Sequence, residues 1–183
     1  NGTAALILAL RAGNPPPGSL CMMPSWTFSA TAHAAREAGL TPFFVDVAPD
    51  NWALTPEIAG AALANAPGNV AAVLPVAPFG APIGYDRWDE FSEATGIPVV
   101  IDAAAAFDTA QPGRAPVVIS LHATKAVGIG EGGLIISRDP ELVAKARSLS
   151  NFGFQQSRAA ALPGFNAKLS EYAAAVGLAA LDA

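Results

Sequence analysis

The chain has 183 residues, 52% of them hydrophobic, which is enough for one substantial domain with a large core. Its formal charge of −5 and its isoelectric point near 4.8 argue against nonspecific binding to nucleic acid or to an anionic membrane, because both need a basic surface. No apolar run reaches the ~18 residues of a membrane span, and the single cysteine, Cys21, cannot form an internal disulfide. We therefore expect a cytoplasmic protein.

Helices and strands alternate along the predicted chain. The first helix is predicted to start at Thr3 as its N-cap, and Pro56 is expected at the first position of the third. In chain order, the sequence predicts a helix over 3–11, a strand over 20–23, a helix over 27–38, a strand over 42–46, a helix over 56–66, a strand over 70–76, a helix over 85–95, strands over 99–102, 117–120 and 134–137, and helices over 140–150 and 169–183.

The predicted strands are continuous apolar runs, which indicates burial on both faces. This pattern is typical of an α/β/α sandwich with a mostly parallel central sheet. In such sheets ligands bind beyond the carboxyl ends of the strands. Asp102 and Ser120 both stand at such ends, so this edge is the expected site.

Lys125 is the candidate with the most informative surroundings. It follows Ser120-Leu121-His122-Ala123-Thr124 and precedes the glycine-rich run 128–133, and the chain has only two other lysines, Lys145 and Lys168. The lysine stands before the glycines, and no helix follows them, so a Walker A loop and a dinucleotide fingerprint are both excluded. A surface lysine in a hairpin turn is an equally good interpretation of the segment alone.

Asp102 ends the apolar run 99–101 and strengthens the case for Lys125. A lysine amine bonds covalently to the aldehyde of pyridoxal phosphate (PLP), and a buried carboxylate keeps the pyridine nitrogen of that cofactor protonated. Alone, a strand-end aspartate can simply cap a turn. The pair together favours a PLP site.

Three further features fit a phosphate-bearing aromatic cofactor. Gly2 and Thr3 begin a helix, whose amides can bind phosphate, although helix capping is an equal account. Ser120 ends a strand, and Phe28 follows Pro24 where an aromatic ring could stack on a planar cofactor or pack in the core. The two histidines, with one cysteine, form no sequence pattern of a metal cluster.

At this point the residues match a known family. The chain resembles the DegT/DnrJ/EryC1/StrS sugar aminotransferases, which have the aspartate aminotransferase type I fold. The matching segments run in order through almost the whole chain: 1–6 (NGTAAL), 24–31 (PSWTFSAT), 43–46 (FFVD), 100–104 (VIDAA), 120–125 (SLHATK), 130–133 (GEGG), 164–166 (GFN) and 169–171 (LSE).

The resemblance implies a role for each site residue. Lys125 matches the Schiff-base lysine and Asp102 the partner of the pyridine nitrogen. Phe28 matches the ring that stacks on the cofactor, and Asn166 a residue that reaches the phosphate of a neighbouring subunit, which implies a homodimer. The phosphate-binding positions are Gly2, Thr3 and Ser120.

Three departures from the family pattern bear on function. Ala105 stands where the family usually has a glutamine near the phenolic oxygen of the cofactor, and Ala77 where it often has histidine. The family's amino-terminal segment and its small carboxy-terminal domain have no counterpart here. We therefore expect residues 1–183 to be a partial, PLP-binding large domain.

The sequence thus predicts a PLP-dependent aminotransferase. The resemblance implies that it moves an amino group from glutamate or glutamine to a keto sugar, and the family's usual acceptor is nucleotide-linked. Two alternatives stay open. One is a PLP-dependent sugar dehydratase of the same family, although its 3-dehydratases carry histidine in place of the lysine at position 125. The other is a non-catalytic, PLP-binding regulatory or scaffold domain, which Ala105 favours.

Overall fold

A computed structural model describes residues 1–157 and 159–182. The strands are β1 (Leu20–Pro24), β2 (Thr41–Val45), β3 (Val70–Val73), β4 (Ile101–Asp102), β5 (Val117–Ser120) and β6 (Gly133–Ile136). The helices are α1 (Gly2–Ala12), α2 (Ser29–Glu37), α3 (Pro56–Leu63), α4 (Tyr85–Thr95), α5 (Pro140–Ser150) and α6 (Glu171–Leu181), and a short 3₁₀ turn spans Pro78–Gly80. None of the described helices is both long and apolar enough to cross a membrane.

The strands form two three-stranded sheets that meet edge to edge. Their orders are β2-β1-β3 and β4-β5-β6, and single bridges at Val73–Val99 and Val76–Asp102 join them. All neighbouring pairs are parallel except β5 with β6. The prediction of a mostly parallel sheet is therefore confirmed, and the carboxyl ends of β1 to β5 share one edge.

Alternate side chains of the strands point into two separate cores. Met22 and Ile101 pack with α3 and α4 on one face, whereas Met23, Val100 and Val118 pack with α1 and α2 on the other. This two-sided burial makes the α/β/α sandwich that the continuous apolar strands predicted. By the same alternation, Asp102 and Ser120 face the layer of α1 and α2.

The N-cap of α1 differs from the prediction. Asn1, not Thr3, caps the helix, and its Oδ1 accepts a hydrogen bond from the amide of Ala4 at 2.9 Å. Asparagine is as strong an N-cap as threonine, and the earlier start adds Gly2 and Thr3 to the first turn. This two-residue shift of the N-cap leaves both amides at the open end of the helix.

The start of α2 is also later than predicted. Phe28 has extended backbone (φ −74°, ψ 146°) and is the N-cap, so Thr27 lies before the helix rather than in it. The strand prediction 70–76 was too long as well, since β3 ends at Val73. Both differences fall at the carboxyl edge of the sheet, where the chain turns around the candidate site.

Candidate active site

Asp102 is a buried carboxylate at the carboxyl end of β4, only 5% exposed. Both of its oxygens accept hydrogen bonds: Oδ2 from the hydroxyl of Thr31 at 2.8 Å, and Oδ1 from the amide of Ala104 at 3.2 Å. Thr31 belongs to α2, which packs on the face toward which Asp102 points. The side chain is therefore fixed by groups from two different elements.

The pKa of Asp102 reflects two opposed effects. Burial raises it above the ordinary value, while the bonds from Thr31 and Ala104 and the positive charge of Lys125 lower it. Burial disfavours the charged form, and donors or an opposite charge favour it. The charge of Lys125 is the smallest of these influences, and a ligand shared by the acid and the amine stays a prediction.

Lys125 lies on the loop between β5 and β6, and it is half-buried. Backbone bonds close this loop on itself: the amide of Ala123 donates to Gly130 at 2.8 Å, and the amide of Lys125 donates to His122 at 2.8 Å. The amide of Ile129 donates to Leu121 at 3.0 Å. The lysine is thus carried by a short, internally bonded loop rather than by a strand.

The glycines after Lys125 are required by close packing. A Cβ at Gly128 would lie 2.6 Å from the carbonyl oxygen of Ala123, and one at Gly133 would lie 2.6 Å from the carbonyl oxygen of Asn1. Gly130 has φ +89°, which side chains rarely adopt. These glycines let the lysine loop and β6 approach their neighbours, so they do more than serve a turn.

The amino end of α1 and Ser120 lie side by side. A Cβ on Gly2 would come within 3.0 Å of the Ser120 Cβ and 3.2 Å of its Oγ. As the first amides of the helix, those of Gly2 and Thr3 have no acceptor within α1. The arrangement offers amides, the helix dipole and a hydroxyl to an anion, with a glycine where a side chain would fill the space.

Phe28 is the N-cap residue of α2, and its side chain is 80% exposed. Its carbonyl accepts from the amide of Thr31 at 3.1 Å, so the ring is carried by the turn of backbone that positions the Asp102 donor. A large exposed ring on this turn is free to stack on a planar ligand.

Asn166 lies away from this cluster of contacts. It is exposed, and its backbone pairs with Asn151 beyond the end of α5. The described contacts do not bring it to Asp102, Lys125 or Ser120. An exposed position is compatible with a role toward another subunit, and that role stays a prediction.

The two departures, Ala105 and Ala77, lie on adjoining turns. The amide of Ala77 donates to the carbonyl of Asp102 at 2.9 Å, and a Cβ at Gly80 would be 2.3 Å from the carbonyl oxygen of Ala105. The 3₁₀ turn therefore packs tightly on the segment after Asp102. Neither alanine side chain can form a hydrogen bond with a ligand.

A model of the DegT/DnrJ/EryC1/StrS aminotransferase family matches residues 1–183. The chain belongs to this family. The resemblance drawn from the sequence motifs is thereby confirmed, and so is the fold, since solved relatives superimpose closely on the whole chain.

Three relatives show the range of the match. A candidate PLP-dependent aminotransferase from Bacillus cereus ATCC 10987 superimposes with a TM-score of 0.93 and 38% identity, covering 100% of this chain and 51% of its own. DesI, solved in the presence of its TDP-sugar product, gives a TM-score of 0.85 and 39% identity, with 100% and 47% covered. The UDP-N-acetyl-3-dehydro-alpha-D-glucosamine 3-aminotransferase of Acidithiobacillus ferrooxidans is 34% identical over 96% of this chain and 49% of its own.

The chain thus spans about half the length of the curated relatives it matches.

Sequence reasoning missed Thr31 and Thr27. The contact of Thr31 with Asp102 joins residues 71 positions apart, so no local pattern reports it. The available signal was the spacing of the two threonines, four residues apart at the start of a helix.

Proposed function

We propose that this protein is a PLP-dependent sugar aminotransferase that binds its cofactor at the carboxyl edge of the sheet. The observation that carries the proposal is the buried carboxylate of Asp102, which shares its electrostatic environment with Lys125. A protonated pyridine nitrogen is the partner that such a carboxylate suits, because the charge-assisted bond offsets the cost of burial.

We assign the phosphate of the cofactor to the amino end of α1. The amides of Gly2 and Thr3, together with the Thr3 and Ser120 hydroxyls, are the donors. The net charge of −5 does not oppose this, since a helix end and two hydroxyls bind an anion locally. Phe28 covers one face of the ring from the edge of α2.

Lys125 has two tasks in this proposal. It first holds the cofactor covalently through Nζ. As a free amine, Nζ would then remove the proton from the α carbon of the amino donor as a base and return a proton as an acid. When bound, PLP supplies the electron sink that makes this α carbon acidic. Asp102 keeps the pyridine nitrogen protonated throughout.

We propose glutamate or glutamine as the amino donor and a nucleotide-linked keto sugar as the acceptor. The support for the acceptor comes from relatives whose names include a UDP-linked sugar substrate and a TDP-sugar product. Lys125 argues against the family's 3-dehydratases, which carry histidine there. The alternative of a non-catalytic PLP-binding domain is favoured by Ala105, which cannot donate a hydrogen bond from its side chain.

We further propose a homodimer with shared sites, in which Asn166 reaches the phosphate of the neighbouring subunit. The exposed position of Asn166 supports this. So does a surface of three aromatic rings, each at least half-exposed, in which Trp52 contacts both Trp26 and Phe79. Residues 1–183 are the PLP-binding large domain in this proposal.

Covalent capture tests the cofactor assignment directly. The protein is incubated with PLP, reduced with borohydride and digested, and the modified peptide is identified by mass spectrometry. We expect the label on Lys125 and none on Lys145 or Lys168. Label spread evenly over the three lysines would contradict the assignment.

The amino-donor half reaction separates the enzyme from a binding module. Glutamate or glutamine is added to the PLP-loaded protein, and release of the matching 2-oxo acid is measured in a single turnover. An aminotransferase releases one 2-oxo acid per bound cofactor, and Lys125→Ala releases none. A protein that captures PLP on Lys125 yet releases no 2-oxo acid would be the non-catalytic alternative.

A further inference from the structure

Two threonine hydroxyls form a buried chain that ends on Asp102. Thr31 is fully buried, and its Oγ1 lies 2.8 Å from Oδ2 of Asp102. Oγ1 of Thr27 lies 2.7 Å from Oγ1 of Thr31. Both distances are typical of strong O–H···O bonds. The chain runs from the half-buried backbone before α2 to the carboxylate at the end of β4.

The charge on Asp102 sets the direction of this chain. A hydroxyl has one hydrogen, and an ionised carboxylate only accepts, so Thr31 donates to Asp102 and has no second hydrogen to give. Thr27 must then donate to Thr31. The competing acceptor for Thr27 is the carbonyl of Phe28 at 3.4 Å, which is the weaker contact because it is longer.

Protonation of Asp102 would reverse the order. The acid would donate to Thr31, and Thr31 would donate to Thr27. Oδ1, meanwhile, accepts from the Ala104 amide, which cannot reverse. When Thr31 donates to Oδ2 and the Ala104 amide donates to Oδ1, both oxygens of Asp102 accept hydrogen bonds. This arrangement suits the ionised carboxylate, which has no proton to donate.

We propose that Thr31 is a positioning residue that keeps Asp102 ionised and aimed at the pyridine nitrogen, and that Thr27 holds the Thr31 hydroxyl in its donor orientation. The purpose that we assign to Thr31 rests on the proposed PLP site. The hydrogen bond between Thr31 and Asp102 does not depend on that proposal. Because Thr31 is fully buried, we expect it to act through Asp102 rather than on a ligand directly.

The charges around Asp102 support the need for this device. Burial raises the pKa of Asp102, and among the described residues the opposing influences are the Thr31 hydroxyl, the Ala104 amide and the charge of Lys125. Lys125 loses its positive charge when its amine is bound covalently to an aldehyde in the unprotonated form. The hydroxyl is then needed most, because it favours the charged carboxylate independently of the lysine.

The test uses two variants of Thr31 and one control. Thr31→Val removes the hydroxyl with little change of shape, and Thr31→Ser keeps it. Ser148→Ala is the matched control, since Ser148 is a buried hydroxyl on α5 for which the described residues offer no hydrogen-bond partner. Carbon-13 NMR of labelled aspartates follows the titration of Asp102, assigned by its loss in Asp102→Asn, in protein without added PLP.

We expect Thr31→Val to raise the pKa of Asp102, and Thr31→Ser and Ser148→Ala to leave it near the wild-type value. An unchanged Asp102 titration in Thr31→Val would overturn the proposal, and so would a Thr31→Ser variant that titrates like Thr31→Val. If Thr31→Val does not fold, Thr27→Val is the second variant. We expect it to raise the pKa of Asp102 by a smaller amount.

PLP binding gives a second, separate readout. If the pKa of Asp102 is raised, the carboxylate becomes protonated at a higher pH in Thr31→Val than in wild type. Thr31→Val should therefore bind PLP about tenfold more weakly near neutral pH, and the two proteins should bind it equally well at alkaline pH. A uniform loss of affinity at every pH would indicate a merely structural role and overturn the inference. If the wild-type protein binds no PLP, the proposed function fails, while the NMR titration still decides the role of Thr31.

Discussion

The acid and the amine of the site are held in opposite ways. Asp102 lies in the sheet, is 5% exposed, and has hydrogen bonds on both oxygens from separate elements. Lys125 is half-buried on a loop whose backbone bonds to itself, and it precedes glycines that pack against neighbouring carbonyls. Among the described residues, the hydrogen bonds that fix Asp102 go to its side chain, and those that fix Lys125 go to its backbone.

This difference matches the work that each group would do. A residue that keeps a ring nitrogen protonated must stay at one place, and a rigid strand with satisfied hydrogen bonds provides that. A residue that leaves a covalent bond and then carries a proton needs a side chain that can move. The proposed site would therefore combine a fixed charge with a mobile base, and each half can be disturbed separately.

Replacement of Lys125 should have the largest effect. Lys125→Arg keeps a positive charge near Asp102 but removes the amine that bonds to the cofactor and transfers the proton. We expect aminotransferase activity to fall by about 10⁴-fold or more, because covalent attachment and general base catalysis are lost together. Steady-state assay of 2-oxo acid release measures this.

Lys145→Arg is the matched control for that variant, because Lys145 lies on α5 outside the site. It should retain wild-type activity. If Lys125→Arg kept more than a few per cent of the activity, the assignment of Lys125 as the base would be wrong, and another amine would have to carry the proton.

Asp102→Asn should separate activity from stability. Loss of the fixed charge is expected to lower activity by about 10²–10³-fold, the range for removing one charge-stabilising group. The unfolding free energy without PLP should instead stay equal or increase at neutral pH. Burial raises the pKa of the native carboxyl, so wild-type stability falls as pH rises from the ordinary carboxyl range through the raised pKa.

Denaturant unfolding across that pH range checks the sign. Wild type should lose stability as pH rises, and Asp102→Asn should lack that loss. A variant that is less stable than wild type at neutral pH, without PLP, would mean that the carboxylate is needed for folding rather than for function.

The sheet and the acid could be foreseen from the sequence for a physical reason. Strands buried on both faces must be continuously apolar, so the polar residue that ends 99–101 stands out at once. Lys125 was conspicuous because lysine is scarce and glycine is dense around it. Both signals are local in sequence. The structure has Asp102 at the end of β4 and Lys125 on the loop between β5 and β6, and their roles stay predictions.

The support of these residues could not be foreseen in the same way. Thr31 reaches Asp102 only because α2 packs on the face toward which even-numbered residues of β4 point. Gly133 matters because the start of α1 approaches it, 131 or more positions away in sequence. Long-range packing of this kind leaves no periodic pattern in the sequence. The choice of Asn1 rather than Thr3 as the N-cap of α1 leaves no such pattern either.

Gly128→Ala should give an intermediate effect on the mobile half. The new Cβ would lie 2.6 Å from the Ala123 carbonyl oxygen, so the lysine loop must shift. We expect a destabilisation of about 1–3 kcal/mol and a weaker affinity for PLP. Gly60→Ala is the control: it lies on α3 with no atom within 4 Å of the new Cβ, and helix propensity predicts a gain of about 0.5–1 kcal/mol. Equal effects of the two substitutions would show that the loop accommodates a side chain.

Cys21 offers the smallest expected effect, and it probes the fixed half. It lies on β1, is 0% exposed, and burial raises its pKa to about 12. At mildly alkaline pH it should resist alkylation by iodoacetamide in the native protein and react readily in urea, since the thiolate is the nucleophile. Lys125, half-buried on its loop, should react with pyridoxal under the same native conditions. If Cys21 were alkylated in the native state as fast as a free thiol, the sheet behind Asp102 would open often, and rigidity could not be what distinguishes the acid from the amine.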